Sequence, residues 1–310
     1  MSHLDVADAG RRIRWAQWVA RIVVTFVAIE VLHFLVTNPT FEWDVVWQWF
    51  RAPSVVRALW TTLWLSAVSM LIGLMLGAAL AAMKMANNRL GGAVADLYIW
   101  LFRGTPLLVQ LIFWFNLAAP LPQISIGIPL GGPKLGTWDT NTLITPLTAA
   151  ILGLALNEAA YMAEIIRGGL LSVDHGQHDA AKAFGMSPAR TLWRVVLPQA
   201  MRSIIPPTGN QLISMVKATA MVSVIAMSDL LYTVQSVYNR TFQTIPLLLV
   251  AVLWYLIVTS MLNVIQSFLE DYFGRSSTGT GSFAGAVKRW WTDLRRGRIA
   301  PTRAIEWNQR

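Results

Sequence analysis

Cysteine is absent from this chain of 310 residues, and charged side chains are scarce. Without cysteine there can be no disulfide, no thiolate metal ligand and no cysteine nucleophile. Charged residues make up 13% of the sequence, about half the share found in an average soluble domain, while hydrophobic residues make up 55%. A phosphate loop of the form G-x-x-x-x-G-K-[ST] is also missing, because GGPKLG at 131–136 lacks its spacing.

Long apolar runs are plentiful instead. Six of them reach the length of about 20 residues that a helix needs to cross a hydrocarbon core roughly 30 Å thick. They lie at 18–37, 59–83, 96–118, 143–166, 203–226 and 246–269. The first is longer than a signal-peptide core and has no cleavage site, so we expect it to be retained. The sequence therefore predicts an all-α polytopic membrane protein with about six transmembrane helices.

Basic residues predict the orientation of these helices. With the N-terminus inside, 19 of the 25 Lys and Arg residues fall in cytoplasmic segments, four fall outside and two lie within spans. This bias predicts that both termini are cytoplasmic, and it explains the net charge of +9 without a nucleic-acid partner. Outside, a Trp-rich segment around Trp47 is expected along the membrane interface, and the Pro/Gly-rich loop 120–141 is expected to be irregular.

The segment 173–198 combines a short helix, a Gly–Ser–Pro break and a second helix. Gly185 stands where a left-handed residue ends a helix, and Ser187 with Pro188 is typical of the start of the next one. Pro198 is expected to end or kink that second helix. One face of the first helix is rich in small side chains, which suit protein docking better than lipid binding; a hairpin resting on lipid is the alternative. That face comprises Val173, Gln177, Ala180, Ala181 and Phe184.

The spacing of this segment resembles the EAA loop of ABC-importer permeases. The matching positions are Asp179-Ala180-Ala181, Gly185 after three residues, Val195 after nine more, and Leu197-Pro198 after one more. All gaps agree with the family pattern, in which Glu replaces Asp179 and Ile replaces Val195. Stretches such as FRGTPLLVQLIFW and NEAAYMAEIIRGGLLSV are similar to the polar amino-acid subfamily, and the resemblance covers about residues 57–273. Ala218 departs from that subfamily, which commonly has an acidic residue there.

The resemblance implies a type I ABC-importer permease: a five-helix core at 57–273 with a coupling loop at 167–200, preceded by a segment 1–56 with an extra helix and followed by a basic tail 274–310. It implies import of polar amino acids or similar solutes across a bacterial cytoplasmic (inner) membrane by alternating access. The implied partners are a second permease subunit (the same or a sister chain), a cytoplasmic ABC ATPase dimer, an extracytoplasmic solute-binding protein and the lipid bilayer. ATP and magnesium belong to the ATPase, and no cofactor is expected on this chain.

Polar side chains within the spans are functional candidates, because burying them in a membrane costs several kcal/mol. Two helical faces are expected to converge on a substrate path, where a carboxylate and an ammonium would suit a zwitterionic amino acid. Alternatively, these groups tie helices to each other or to the second subunit. The first face comprises Asn157, Tyr161 and Glu164 with Glu158 beside it, and the second comprises Asn210, Ser214 and Lys217 with Gln211 beside it.

No residue arrangement recommends a catalytic or metal site. His175 and His178 are three apart on a predicted helix, but no third ligand has suitable spacing. The second hypothesis for function is an ion-coupled secondary transporter of amino acids that uses Glu158 and Lys217. Inverted repeats and helices broken in both halves would favour it, and the sequence makes neither evident. The stretch Arg103-Gly104-Thr105-Pro106 is expected to start or kink a helix.

Overall fold

The computed structural model describes residues 15–86, 88–127 and 134–273, and these are almost entirely helical. The first helices are α1 (Trp15–Thr37), α2 (Trp43–Phe50), α3 (Pro53–Met85), α4 (Arg89–Gly104) and α5 (Leu107–Phe115). A hairpin of β1 (Gln123–Gly127) and β2 (Lys134–Asp139) follows. The remaining helices are α6 (Thr140–Leu143), α7 (Pro146–Leu171), α8 (His175–Ala183), α9 (Pro188–Thr191), α10 (Leu197–Ala218), α11 (Leu230–Thr241) and α12 (Thr244–Phe273).

Within these described residues, four helices are long and apolar enough to cross a membrane: α1, α3, α7 and α12. Two further candidates are pairs of helices bent at a break: α4 with α5, and the helical stretch Pro188–Ile225 with α11. Counting each bent pair as one span gives six, in agreement with the number of apolar runs. The predicted all-α membrane fold is confirmed. The predicted Arg-rich start before residue 15 and the tail 274–310 lie outside the described residues.

The third predicted span is not one straight helix. α4 and α5 meet at 102°, with Thr105 and Pro106 in extended conformations between them. Proline lacks an N–H to donate and pushes the residue before it out of the helical region, so the helix cannot run through Thr105. The predicted kink at 103–106 is therefore confirmed, and a continuous span over 96–118 is wrong.

The fifth span begins upstream of its predicted start. α9 continues through a π-helical turn (Leu192–Val196) into α10, and the Leu197 N–H donates to the carbonyl of Leu192. The wider turn accommodates Pro198, whose ring would clash with the preceding carbonyls of a regular helix. Pro198 therefore neither ends the helix nor separates it from the span. Pro206 and Pro207 also lie inside α10.

Two glycines let α3 pack directly on α7. A Cβ atom at Gly77 would lie 2.6 Å from Met162 Cβ and 2.9 Å from the Ala159 carbonyl oxygen. A Cβ atom at Gly73 would lie 2.8 Å from Glu158 Cβ. Only glycine allows this approach, as small residues spaced four apart do in many membrane helix pairs. α3 and α7 thus form the centre of the bundle and place Glu158 inside it.

The outer segments are more regular than expected. The loop 120–141 contains the β1–β2 hairpin, paired antiparallel from Gln123 with Asp139 to Gly127 with Lys134, so the expectation of an irregular loop is wrong. The Trp-rich segment forms α2, which is anchored on α12 rather than only resting on lipid. The Phe50 ring stacks on Trp254 at 4.4 Å, and the Trp254 Nε1–H donates to the Phe50 carbonyl at 3.1 Å.

Candidate functional site

A cavity of about 180 Å³ lies between α7 and α10, beside the start of α5. It is slightly larger than an engineered cavity of about 150 Å³ that holds benzene, so its size suits one small molecule. Five of the predicted path residues line it, and the expected convergence of the two helical faces takes place here. The lining comprises Asn157, Glu158, Tyr161, Gln211 and Ser214, together with Leu107, Leu154, Met215 and Ala218.

Glu158 contributes a carboxyl group to the lining of this cavity. It lies midway along α7 and keeps 6% of its surface exposed. Its Oε1 atom has no hydrogen-bond partner in the described part of the chain, and it is shielded from solvent. A buried carboxylate that lacks partners is costly, and membrane proteins keep such groups where a ligand or ion meets them. The Oε1 atom of Glu158 is therefore available to a ligand in the cavity.

Lys217 does not reach the polar cavity. It lines a separate, mostly apolar cleft of about 350 Å³ between α10 and α12, together with residues such as Tyr255 and Thr259. Asn210 is also exposed and lies outside the lining of the polar cavity. The structure therefore does not bring the carboxylate of Glu158 and the ammonium of Lys217 to one site, as the sequence-based expectation for a zwitterion required.

Glu164 is also absent from the cavity, because it joins three helices near one end of the bundle. Its Oε1 accepts a hydrogen bond from Lys84 Nζ at 2.8 Å, and its Oε2 pairs with Arg167 Nη2 at 2.8 Å. Lys84 also pairs with Asp96 at 2.7 Å. This network links α3, α4 and α7, so Glu164 follows the alternative that the sequence left open, a tie between helices.

Asn157 belongs to the cavity and also supports the break between α4 and α5. Its Nδ2 donates to the Phe102 carbonyl at 3.0 Å and to Gln110 Oε1 at 3.2 Å. Gln110 in turn donates to the Phe102 carbonyl at 3.0 Å and to the Thr105 carbonyl and hydroxyl at 3.1 and 2.7 Å. Sequence reasoning missed Gln110, although it is a polar residue in the otherwise apolar run LLVQLIFWF.

Replacing Gln110 by leucine is expected to destabilise the permease fold by about 1–3 kcal/mol, because carbonyls at the break lose their donor while remaining buried. The measurement is the thermal unfolding midpoint of the purified chain. Asn263→Leu is the matched control, since the Asn263 amide is exposed and bonds only within its own helix, to the Thr259 carbonyl. Equal midpoints for the two variants would contradict the supporting role of Gln110.

The turn between α8 and α9 has the backbone conformation and the helix caps that the sequence predicts. Gly185 is left-handed (φ +70°), its N–H donates to the Lys182 carbonyl at 2.9 Å, and the Met186 N–H donates to the Ala181 carbonyl at 3.0 Å. These two bonds define a Schellman motif. Ser187 caps α9 by accepting from the Arg190 N–H at 3.4 Å, and Pro188 occupies the first turn. The helix–turn–helix prediction is confirmed.

The predicted small-residue face of α8 is divided by the fold. Val173 and Ala181 are buried, and Val173 packs with Val196, Ala200 and Ile204. Phe184 is 87% exposed, the largest apolar side chain that the α8–α9 hairpin presents outward. Of the remaining motif positions, Asp179, Ala180, Gly185 and Pro198 are exposed, and Val195 and Leu197 are half-buried.

Residues 69–276 match the sequence model of a family described as the inner membrane component of binding-protein-dependent transport systems. The chain belongs to this family. The permease is 41% identical over 266 residues to the arginine transport system permease protein ArgU of Corynebacterium glutamicum, covering 85% of this chain and 82% of the relative. It is 31% identical over 230 residues to the glutamine transport system permease protein GlnP of Escherichia coli, covering 74% and 96%.

Solved structures agree with this assignment. One, described as an amino acid ABC transporter with histidines, matches with a TM-score of 0.60 at 34% identity, covering 71% of the permease and 94% of that chain. The MetNI methionine ABC transporter in an inward facing conformation shares the fold, with a TM-score of 0.54 at 19% identity and coverage of 71% of the permease and 96% of that chain.

The bent helix pairs by themselves would also be consistent with a secondary transporter. The comparisons favour the permease of an ABC importer over that alternative and confirm the expected architecture.

Proposed function

We propose that this permease carries polar amino acids or similar small solutes inward as the transmembrane subunit of an ATP-driven importer. The observation that carries the proposal is the polar cavity between α7 and α10, which contains Glu158 without a partner among the described residues. Its volume of about 180 Å³ suits one small molecule and not a polymer. Relatives named for transport of arginine, glutamine and cystine support the amino-acid class.

In this proposal the α8–α9 hairpin is the docking site for a separate ATPase dimer, which binds ATP and magnesium. The coupling residues are Asp179, Ala180, Ala181, Gly185, Val195, Leu197 and Pro198. The absence of a phosphate loop from the sequence supports an ATPase on another chain. The helical path from α9 through the π turn into α10 leads from the hairpin to Gln211 and Ser214, so a movement of the hairpin would shift one wall of the cavity.

A second permease subunit, the same or a sister chain, completes the path. Asn210, Ser214 and Lys217 are exposed on one face of α10, where contact with lipid would be costly and contact with a water-filled path or a second subunit would not.

The distribution of basic residues in the sequence supports cytoplasmic termini and a cytoplasmic hairpin. The opposite side then faces the solute-binding protein. Segments 1–56, 57–273 and 274–310 form the N-terminal unit, the permease core and the tail.

The test is uptake by proteoliposomes that contain the permease, its ATPase and the solute-binding protein. We expect radiolabelled amino acid to enter the proteoliposomes only when ATP is present on the side of the ATPase. ATP binding and hydrolysis change the populations of the permease conformations, and transport requires the permease to alternate between them. An ATPase variant that binds ATP without hydrolysing it is the control. Uptake that persists without ATP and follows an imposed proton or sodium gradient would overturn the proposal in favour of an ion-coupled transporter.

A further inference from the structure

Lys217 is a charged residue on the exposed face of α10, within a candidate membrane span. It is the one charged residue among the described residues that line the cleft of about 350 Å³ between α10 and α12, and most of its neighbours there are apolar. In the described part of the chain, its ammonium has no ion pair and no hydrogen-bond partner. A charge on a membrane helix is costly unless an opposite charge or water meets it. A group outside this chain is therefore expected in the cleft.

A residue of opposite charge is exposed on α1. All residues from 18 to 37 are exposed, so α1 stands clear of the bundle that the other described helices form. Glu30 is the only acidic residue in α1, and it has no hydrogen bond or ion pair with any described residue. Acidic residues within membrane helices usually face protein or water, because lipid cannot solvate them. The apolar surface of α1 and its single carboxylate therefore indicate a helix that packs against another protein.

The two charges lie at similar depths in the membrane. Glu42, five residues beyond the end of α1, accepts a hydrogen bond at 3.0 Å from the Gln243 amide, which directly precedes α12, so these ends of α1 and α12 are at one level. Glu30 lies seven residues from that end of α1, or about 10 Å along the helix. The cleft begins at Val252, eight residues from that end of α12, or about 12 Å along the helix. The flexible stem of Lys217 can span such a difference.

The α1 helix of the same chain is held on the other side of α12. The Trp43 Nε1–H donates to the Leu35 carbonyl at 2.8 Å and joins the end of α1 to α2. α2 in turn packs on α12 through the stacking of Phe50 on Trp254. Leu256 lines the cleft and is two residues from Trp254, which places it about 200° further around the helix. The cleft therefore opens away from the attachment of its own α1.

We propose that α1 of one copy of this chain packs into the α10–α12 cleft of a second copy, where the Glu30 carboxylate pairs with the Lys217 ammonium. This occupant supplies the missing negative charge at a suitable depth and an apolar surface for the rest of the cleft. In a dimer whose two-fold axis is perpendicular to the membrane, both copies keep the same depth and each contact occurs twice. The inference rests on the proposed function, which includes a second permease subunit, and it identifies that subunit as a second copy of this chain.

Exchanging the two charges tests this pairing. Glu30→Lys or Lys217→Glu alone places like charges together at both symmetric contacts of a dimer. We expect the dissociation constant of each single variant's dimer to rise by about 10-fold or more, measured by energy transfer between differently labelled copies of the full chain in liposomes. A chain that combines Glu30→Lys with Lys217→Glu restores opposite charges and is expected to recover most of the affinity.

The thermal midpoint of each variant as a monomer in detergent is the control for folding. We expect it to stay close to that of the unmodified chain, because both side chains are exposed in the single chain. Glu30→Gln removes the charge without adding a new one and is expected to weaken the dimer by a smaller factor. This variant keeps the test decisive if the Glu30→Lys protein does not fold.

A mixture of the two single variants distinguishes pairing between copies from pairing within one chain. In a dimer of one Glu30→Lys copy and one Lys217→Glu copy, every contact between copies again joins opposite charges. A contact within either chain would instead join like charges. We therefore expect the mixture to form heterodimers about as tightly as the unmodified chain forms homodimers.

Three results would overturn the inference. Failure of the unmodified chain to associate with itself would assign the second subunit to a different chain. Single variants that dimerise as tightly as the unmodified chain would remove the ion pair, and a mixture that stays as weak as the single variants would exclude pairing between copies. ATP-dependent uptake by the complete importer, measured in parallel, separates these results from a failure of the proposed function. Uptake that persists alongside any of them leaves the importer intact and removes only this interface.

Discussion

Replacing Gly77 by leucine is expected to abolish the folded state of the permease core. Even the Cβ atom of an alanine would lie 2.6 Å from Met162 Cβ and 2.9 Å from the Ala159 carbonyl oxygen. The second contact is with backbone, which cannot rotate away, so α3 and α7 must separate. Overpacking of this kind costs about 1–3 kcal/mol for a single methylene and more where the backbone has to move. We expect a large fall in thermal midpoint for Gly77→Ala and no recoverable monodisperse protein for Gly77→Leu.

Gly168→Leu is the control for this prediction. Gly168 also lies within a long helix, α7, but an added Cβ there would meet nothing within 4 Å. We expect this variant to retain the elution profile and thermal midpoint of the unmodified chain in detergent. A Gly77→Leu protein that is as stable as Gly168→Leu would show that α3 and α7 do not pack in contact through Gly77. It would also remove the support for the position of Glu158, which the same helix pair places.

The features that the sequence predicts well depend on short-range chemistry. A span needs only an apolar run of sufficient length, and the four unbroken spans follow those runs to within a few residues at most ends. The turn at Gly185 is also local, because the positive φ, the Ser187 cap and the position of Pro188 all follow from residues within one or two positions. Residues that are close in the sequence therefore determine these features.

The breaks in the helices were harder to predict because two prolines in similar apolar surroundings have opposite effects. Pro106 separates α4 from α5, where the Gln110 and Asn157 side chains bond to the carbonyls around the break. Pro198 is absorbed by a π turn within a continuing helix. The difference lies in what is available to satisfy the freed backbone groups. Asn157 is far from Phe102 in the chain, so a local sequence pattern does not show that Asn157 will bond to the Phe102 carbonyl.

The candidate site shows the same division. Helical periodicity placed Asn157 and Tyr161 on one face and Ser214 on the other, with Glu158 and Gln211 beside them. These five residues line one cavity, because a face of a helix extends over neighbouring turns. It also placed Glu164 and Lys217 on those faces, although one pairs with Lys84 and the other lines a different cleft. Each of these faces extends over about two helical turns, which is longer than a cavity of about 180 Å³. Periodicity predicts direction, and tertiary contacts determine which members share a cavity.

Replacing Gly185 by valine is expected to uncouple ATP hydrolysis from uptake while the spans remain folded. Gly185 has φ +70°, where a β-branched side chain is strained by about 1–3 kcal/mol, although an added Cβ atom would meet nothing within 4 Å. The strain therefore acts on the backbone alone. It opposes the Schellman bonds of Gly185 and Met186, which set the direction in which the chain leaves α8 and hence the position of α9.

The measurement is the ratio of amino acid transported to ATP hydrolysed in proteoliposomes, and we expect this ratio to fall by about 10-fold or more. Gly185→Asn is the matched control, since asparagine tolerates the left-handed region, and it should retain most of the coupling. A thermal midpoint that stays unchanged in the valine variant would locate the effect in the hairpin and not in the bundle. Undiminished transport by the valine variant would count against the docking role of the α8–α9 hairpin. It would show that the geometry of the hairpin does not affect the coupling of ATP hydrolysis to transport.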